Sequence, residues 1–139
     1  MAKEKTTELV AALIVENSKI LLVHNIKKGR RVEPPGGKVK AEESYEDATI
    51  RECREELGVE IEIQRKVGIY HTHSPEGNFN VHTFKCRIKS GEPSLKEPQI
   101  IDKIEYYSYK ELETLKKDGY LVPNLANSLE HIKTIIEEK

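Results

Sequence analysis

Apolar positions along the chain fall into blocks, alternations and stripes, and each kind predicts a different element. Residues 9–15 (LVAALIV) form an unbroken apolar block closed by Glu16-Asn17-Ser18, and a second short block, 20–23, follows at once. Short apolar runs bounded by turn residues predict two strands joined by a tight turn, the first buried on both faces. The Ala11-Ala12 pair would suit a buried helix equally, so the pattern alone leaves that alternative open. Further on, 59–67 and 68–73 alternate in part and read as strand, 74–78 (SPEGN) as loop, and 80–88 as another alternating strand. A loop containing Gly91, Pro93 and Pro98 leads to a strand over 100–107 and a short helix over 110–117. After Pro123, the spacing of Leu125, Leu129, Ile132 and Ile136 predicts a helix over 124–138.

The remaining helix is the most charged element. Ser44 stands three residues before Asp47, an N-cap with its partner, and Glu46 and Asp47 occupy the first turn, where the helix dipole favours acids. Gly58 suits the left-handed residue that ends a helix. A helix over 45–57 follows. At about 100° per residue, Ile50, Cys53 and Leu57 share the apolar face, and Glu52, Glu55 and Glu56 gather opposite, with the small Ala48 one turn before them. Arg51 and Arg54 point elsewhere on the wheel and offset the crowded acids only in part; each like-charged i, i+4 pair costs roughly 0.2–0.5 kcal/mol. A solvated acidic face is the ordinary meaning of such a cluster. Converging oxygen ligands for a hard divalent cation are the sharper one.

What precedes the helix separates these readings. Glu33-Pro34-Pro35-Gly36-Gly37 cannot be helical, and its paired glycines let the backbone approach a ligand closely. From Gly37 the chain runs five residues to Glu43, seven more to Arg51-Glu52-Cys53, then Glu55-Glu56 and Gly58-Val59. That pattern resembles the Nudix box, with Cys53 in an aliphatic slot and Pro34 where many members carry a large apolar residue. The resemblance implies an α/β/α sandwich around a mixed central sheet, spanning 1–139 as one domain. It also implies hydrolysis of a nucleoside diphosphate linked to another group, with Mg²⁺, or Mn²⁺ in its place, as cofactor. Glu52, Glu55, Glu56 and the Gly36 carbonyl would be the metal ligands. Arg51 would orient a metal-binding glutamate, and Glu43 would brace the loop and helix. Glu97, in GEPSLKEPQ, matches the loop that brings a further glutamate to the metals in MutT-type members. Asn124 lies where the family can carry an asparagine that reads a nucleobase, although an N-cap role is the simpler account. Lys38 is placed to contact phosphate, and His24 joins the substrate-side candidates beside a basic loop, 25–31. Catalytic candidates are therefore Arg51, Glu52, Glu55, Glu56 and Glu97. A MutT-type nucleoside triphosphate pyrophosphohydrolase is the leading expectation. Pro75, sixteen residues beyond the box, favours an ADP-ribose or nucleotide-sugar pyrophosphatase, and a non-catalytic nucleotide sensor is a third reading.

Composition narrows the partners. Of 139 residues, 34% are charged, yet the net charge is −1, which leaves no general footprint for nucleic acid or an anionic membrane. No apolar run approaches the roughly 20 residues of a membrane span. The polar opening, Met1 to Glu8, has no signal-peptide core, and Cys53 and Cys86 show no CxxC spacing, so a cytoplasmic protein with reduced thiols is expected. His71, His73 and His82 have the residue types for zinc, but such histidines are more often surface or substrate-side groups. The family often forms homodimers, so a homodimer is among the expectations.

Overall fold

The computed structural model describes residues 5–138. Strand β1 (Thr6–Glu16) is its axis. It pairs antiparallel with β2 (Lys19–Asn25) and with the short β4 (Gly36–Lys38), and parallel with β6 (Gly77–Ser90) from Thr6↔Asn78 to Ile14↔Cys86. β5 (Glu60–Ser74) pairs antiparallel with β6, while β3 (Arg31–Glu33) and β7 (Ile101–Tyr107) flank β2. The sheet is therefore mixed, as expected.

β1 is a strand rather than a buried helix because neighbours cover both of its faces. Val10, Ala11, Ala12, Leu13 and Ile14 are all buried, and alternate side chains enter different cores. Ala12 and Ile14 join Leu21, Val23, Phe84 and Cys86 beneath α1 (Tyr45–Leu57), which contributes Cys53 and Leu57. Leu13 joins Ile20 and Leu22 under the other helices: α2 (Tyr109–Lys117), α3 (Pro123–Ala126) and α4 (Leu129–Ile136). The β1–β2 turn places Asn17 and Ser18 at φ of 51° and 59°, the two-residue geometry that matches strand twist.

α1 spans the residues anticipated for it. Ser44 Oγ accepts from the Asp47 amide at 3.0 Å, and Gly58 closes the helix at φ 71°. Three boundaries differ from expectation. The stretches 59–67 and 68–73 are one strand, β5, interrupted by register shifts against β6. The expected helix over 124–138 breaks at Asn127–Ser128, where the Ser128 amide turns to Leu125 O at 3.0 Å in a 3₁₀-like hydrogen bond that closes α3 before Leu129 opens α4. β3 and β4 are three residues each, too short to leave a period. No described helix is long and apolar enough to cross a membrane.

Candidate active site

Sheet and helix meet where β4 runs along the N-terminal half of β1. The approach is close enough to demand glycine twice. A Cβ on Gly36 would lie 1.9 Å from the Val10 carbonyl oxygen, and one on Gly37 would lie 2.6 Å from Glu52 Oε1. Gly37 thus leaves the space that Glu52 occupies. Glu56, one turn further, accepts the Gly36 amide through Oε2 at 3.2 Å.

Arg51 organises the acids around this point. Its Nε and Nη2 donate to the two oxygens of Glu43 at 2.7 and 2.9 Å, and Nη2 also donates to the Lys38 carbonyl at 3.0 Å. Nη1 donates to Glu52 Oε1 at 3.0 Å and Glu55 Oε2 at 3.2 Å. Arg51 therefore does not point away from the acids, as the helical wheel alone suggests; its long side chain curls across them. This bidentate bond, with help from the Lys40 amide, pulls the Glu43 carboxyl down to about 2. Glu52 behaves in the opposite sense: burial raises it, and Glu55 and Glu97 add to the rise against the pull of Arg51. Burial raises Glu56 furthest, reinforced by Glu52, Glu33 and Glu97.

Glu97 reaches this group from a distant loop. The Ser94 amide donates to the Leu57 carbonyl at 3.0 Å, which ties the loop to the end of α1. Beside the acids opens a cleft of about 760 Å³, lined at one end by Gly36, Gly37, Lys38 and Glu56 and elsewhere by Val122, Pro123 and Asn124. Asn124 is the second residue of α3, not its cap, which is Val122. The structure therefore removes the simpler account of Asn124 and leaves its side of the cleft as its setting.

His24 is not brought to the cleft. Both ring nitrogens are engaged away from it: Nδ1 accepts from Arg30 Nη1 at 2.9 Å, so the proton sits on Nε2 and is donated to Tyr107 Oη at 2.5 Å. Burial, then Arg30 and Lys103, lower its pKa. These contacts hold the basic loop to β7 together with the Arg30–Asp102 ion pair. The three candidate zinc histidines have other partners, although His82 Nδ1 is buried without a hydrogen-bond partner among the described residues. His71 and His73 face Asn80 and Asn78 through Nδ1, while His82 meets Glu8 and stacks on Tyr45 with ring centroids 3.6 Å apart.

Among the described residues, no three His, Cys, Asp or Glu side chains are gathered tightly enough to cage a metal ion. The donor set nonetheless fits a hard cation. Burial and the charge of Glu97 raise the carboxyls of Glu52 and Glu56 in a half-buried space, with Arg51 opposing the rise at Glu52, and their ligand atoms are oxygens. Two site residues carried no sequence signal, Asn25 and Glu33. Both line the cleft, and β3 places Glu33 there by pairing it with Val23.

A family model described as the NUDIX domain matches residues 6–128. The chain belongs to the NUDIX hydrolase family. Over 82 residues it is 39% identical to a CTP pyrophosphohydrolase from Escherichia coli K12, an alignment covering 50% of this chain and 61% of that protein. The chain spans less than two thirds of the length of the curated relatives it matches. Among solved structures, a NUDIX hydrolase from Nitrosomonas europaea superposes with a TM-score of 0.82 at 27% identity, over 94% of this chain and 90% of that one. A MutT NUDIX hydrolase from Burkholderia pseudomallei gives 0.83 at 24% identity, over 93% and 99%, a likeness of fold. This NUDIX chain accordingly shares the α/β/α architecture of MutT-type structures.

Proposed function

We propose that this NUDIX hydrolase cleaves nucleoside triphosphates between the α and β phosphates, releasing pyrophosphate with a divalent ion, Mg²⁺ or Mn²⁺, as cofactor. The observation that carries the reading is that Glu52 and Glu56 pack against the Gly37 and Gly36 backbone, with the charge of Glu97 near enough to raise both, beside a cleft of about 760 Å³. The Gly36 carbonyl, Glu52, Glu55 and Glu56 would hold the ion. When bound, it neutralises the phosphate oxygens and lowers the pKa of water.

The protein's own groups supply the rest. Arg51 fixes Glu52 and Glu55 from one side, so their carboxylates need little reorganisation. A carboxylate of this cluster, from the helix or from Glu97, receives the proton of the attacking water. Lys38, at the cleft wall, pairs with phosphate, and Asn124 contacts the base. The CTP activity named for the Escherichia coli relative agrees with a triphosphate substrate.

The test is product release from a panel of nucleoside triphosphates, ADP-ribose, nucleotide sugars and dinucleoside polyphosphates, with and without Mg²⁺ or Mn²⁺. Metal-dependent pyrophosphate release from a triphosphate is the expected result. Turnover confined to ADP-ribose or nucleotide sugars would move the substrate class, and binding with no product from any compound would make the chain a sensor.

A further inference from the structure

Glu8, on β1, links both ends of the loop that carries Glu43. That loop, 39–44, leaves β4 after Lys38 and returns at Tyr45, the first residue of α1. At its start, the Val39 amide donates to the Glu8 carbonyl at 3.2 Å. At its end, the Tyr45 ring lies nearly parallel to His82, with centroids 3.6 Å apart and planes at 11°. His82 in turn meets Glu8 Oε1 through Nε2 at 2.9 Å, and the Asn80 side-chain amide donates to Glu8 Oε2 at 3.0 Å. A carboxylate only accepts, so the His82 proton sits on Nε2. These bonds, His82 first, hold the Glu8 carboxyl below its ordinary value, and the Tyr45 hydroxyl adds to the effect.

His82 is buried, and its Nδ1 has no hydrogen-bond partner among the described residues. The ring is therefore positioned by one hydrogen bond and one stack, and both lead to this loop. Between its ends the loop is fixed by Glu43: Oε1 accepts the Lys40 amide at 3.0 Å, and both oxygens accept from Arg51. Arg51 holds Glu52 and Glu55. A chain of contacts thus runs from Glu8 through the loop to the acids of the proposed ion site. Glu8, Tyr45 and His82 do not line the cleft themselves. Their influence on it passes through position rather than through contact with a substrate.

We propose that Glu8, with His82 as its donor, is a positioning residue: it clasps the 39–44 loop shut and so sets where Arg51 places Glu52 and Glu55. The inference rests on the proposed reading of that acidic group as the reacting site. Its test reads the loop and the chemistry separately. Solvent exchange of the Arg51 Nε–H, followed by NMR in the metal-free folded chain, is expected to be at least about tenfold faster in Glu8→Ala than in the wild type. The Nε–H of Arg54, on the same helix and bonded to Glu60, should stay within about twofold. In the same variant, kcat for triphosphate hydrolysis should fall at least about tenfold with KM within about twofold, since a misplaced group costs rate rather than binding. Glu8→Gln keeps an acceptor for His82 Nε2 and should restore both readings to within about threefold of the wild type. His82→Phe keeps the ring stack, removes the donor and should reproduce the effects of Glu8→Ala; it carries the test if Glu8→Ala does not fold. An Arg51 Nε–H that exchanges at the wild-type rate in these variants overturns the proposal, as does equal acceleration at Arg54, which marks general loosening. Faster exchange with unchanged kcat overturns it too, because the clasp would then have no effect on the acids. A wild-type chain that turns over no triphosphate, but whose Arg51 responds as expected, retains the clasp and discards the pyrophosphohydrolase reading.

Discussion

Arg51 makes five hydrogen bonds to three glutamates and one carbonyl, which uses every donor that a guanidinium owns. That leaves Glu56 as the acid of the helix trio without an arginine, held only by the Gly36 amide. Its replacement should therefore separate chemistry from folding. Glu56→Gln is expected to lower Mg²⁺-dependent kcat by about two orders of magnitude or more, the usual scale for losing a preorganised charge at a reacting centre. Its carboxyl is raised in the folded state, so the metal-free wild type gains protons relative to its unfolded chain and loses stability as pH rises above about 4.5. Glu56→Gln should consequently melt higher than the wild type in EDTA at pH 8, with the gap closing towards pH 4. Glu55→Gln should also cost about a hundredfold in turnover, but without that stability gain, because Glu55 is half-exposed and paired with Arg51. Near-normal turnover of either variant would remove that residue from the site. At this scale the motif spacing told which side chains lie near one another: Arg51 bonds Glu52 and Glu55, and Glu97 is near enough for its charge to raise Glu52 and Glu56. The contacts of His24 with Arg30 and Tyr107 were not legible, because a histidine next to a basic loop gives no hint of which face of its strand it occupies.

Among the elements, α1 was readable to the residue because cap, dipole charges and terminating glycine all agree. β3 and β4 were invisible because three residues carry no period, and their pairing is set by neighbours far away in the chain. Yet these short strands hold the site. Gly37→Ala tests this: the added methyl would meet the Glu52 carboxyl, with kcat expected to fall at least tenfold while the melting temperature changes little. A variant with unchanged kcat would show that Glu52 has room to spare. The loop between β2 and β3 depends on His24 remaining neutral, since Nδ1 must accept from Arg30. Its folded pKa lies below the ordinary value of about 6.5, so this contribution is complete above that pH and is lost as pH falls through the folded value. His24→Gln, which cannot titrate, should flatten the loss of melting temperature between pH 7.5 and 5; an unchanged slope would acquit the histidine.

For the molecule as a whole, two cores lie on opposite sides of one sheet, and the alternation along β1 and β2 assigns each side chain to one of them. The layering followed from the order of elements, but the split between cores did not, since an unbroken apolar run conceals which residue faces which side. The core beneath α2–α4 contains no residue of the acidic group, so Ile132→Ala should cost about 2–5 kcal/mol in urea unfolding while leaving KM at its wild-type value. The proposed divalent-ion site lies on the other side of the sheet. Millimolar Mg²⁺ should raise the melting temperature of the wild type and not of Glu56→Gln, because only the native site gathers the carboxylates. An identical response from both would place the ion elsewhere.

The parallel seam between β1 and β6 also governs how the chain comes to be made. Thr6 must wait for Asn78, and Ile14 for Cys86, so the greasy segment 10–14 leaves the ribosome long before its lasting partner does. During that interval the nascent chain can zip its first hairpin but cannot hide that segment, which makes it a natural handle for chaperones and a hazard if synthesis stalls.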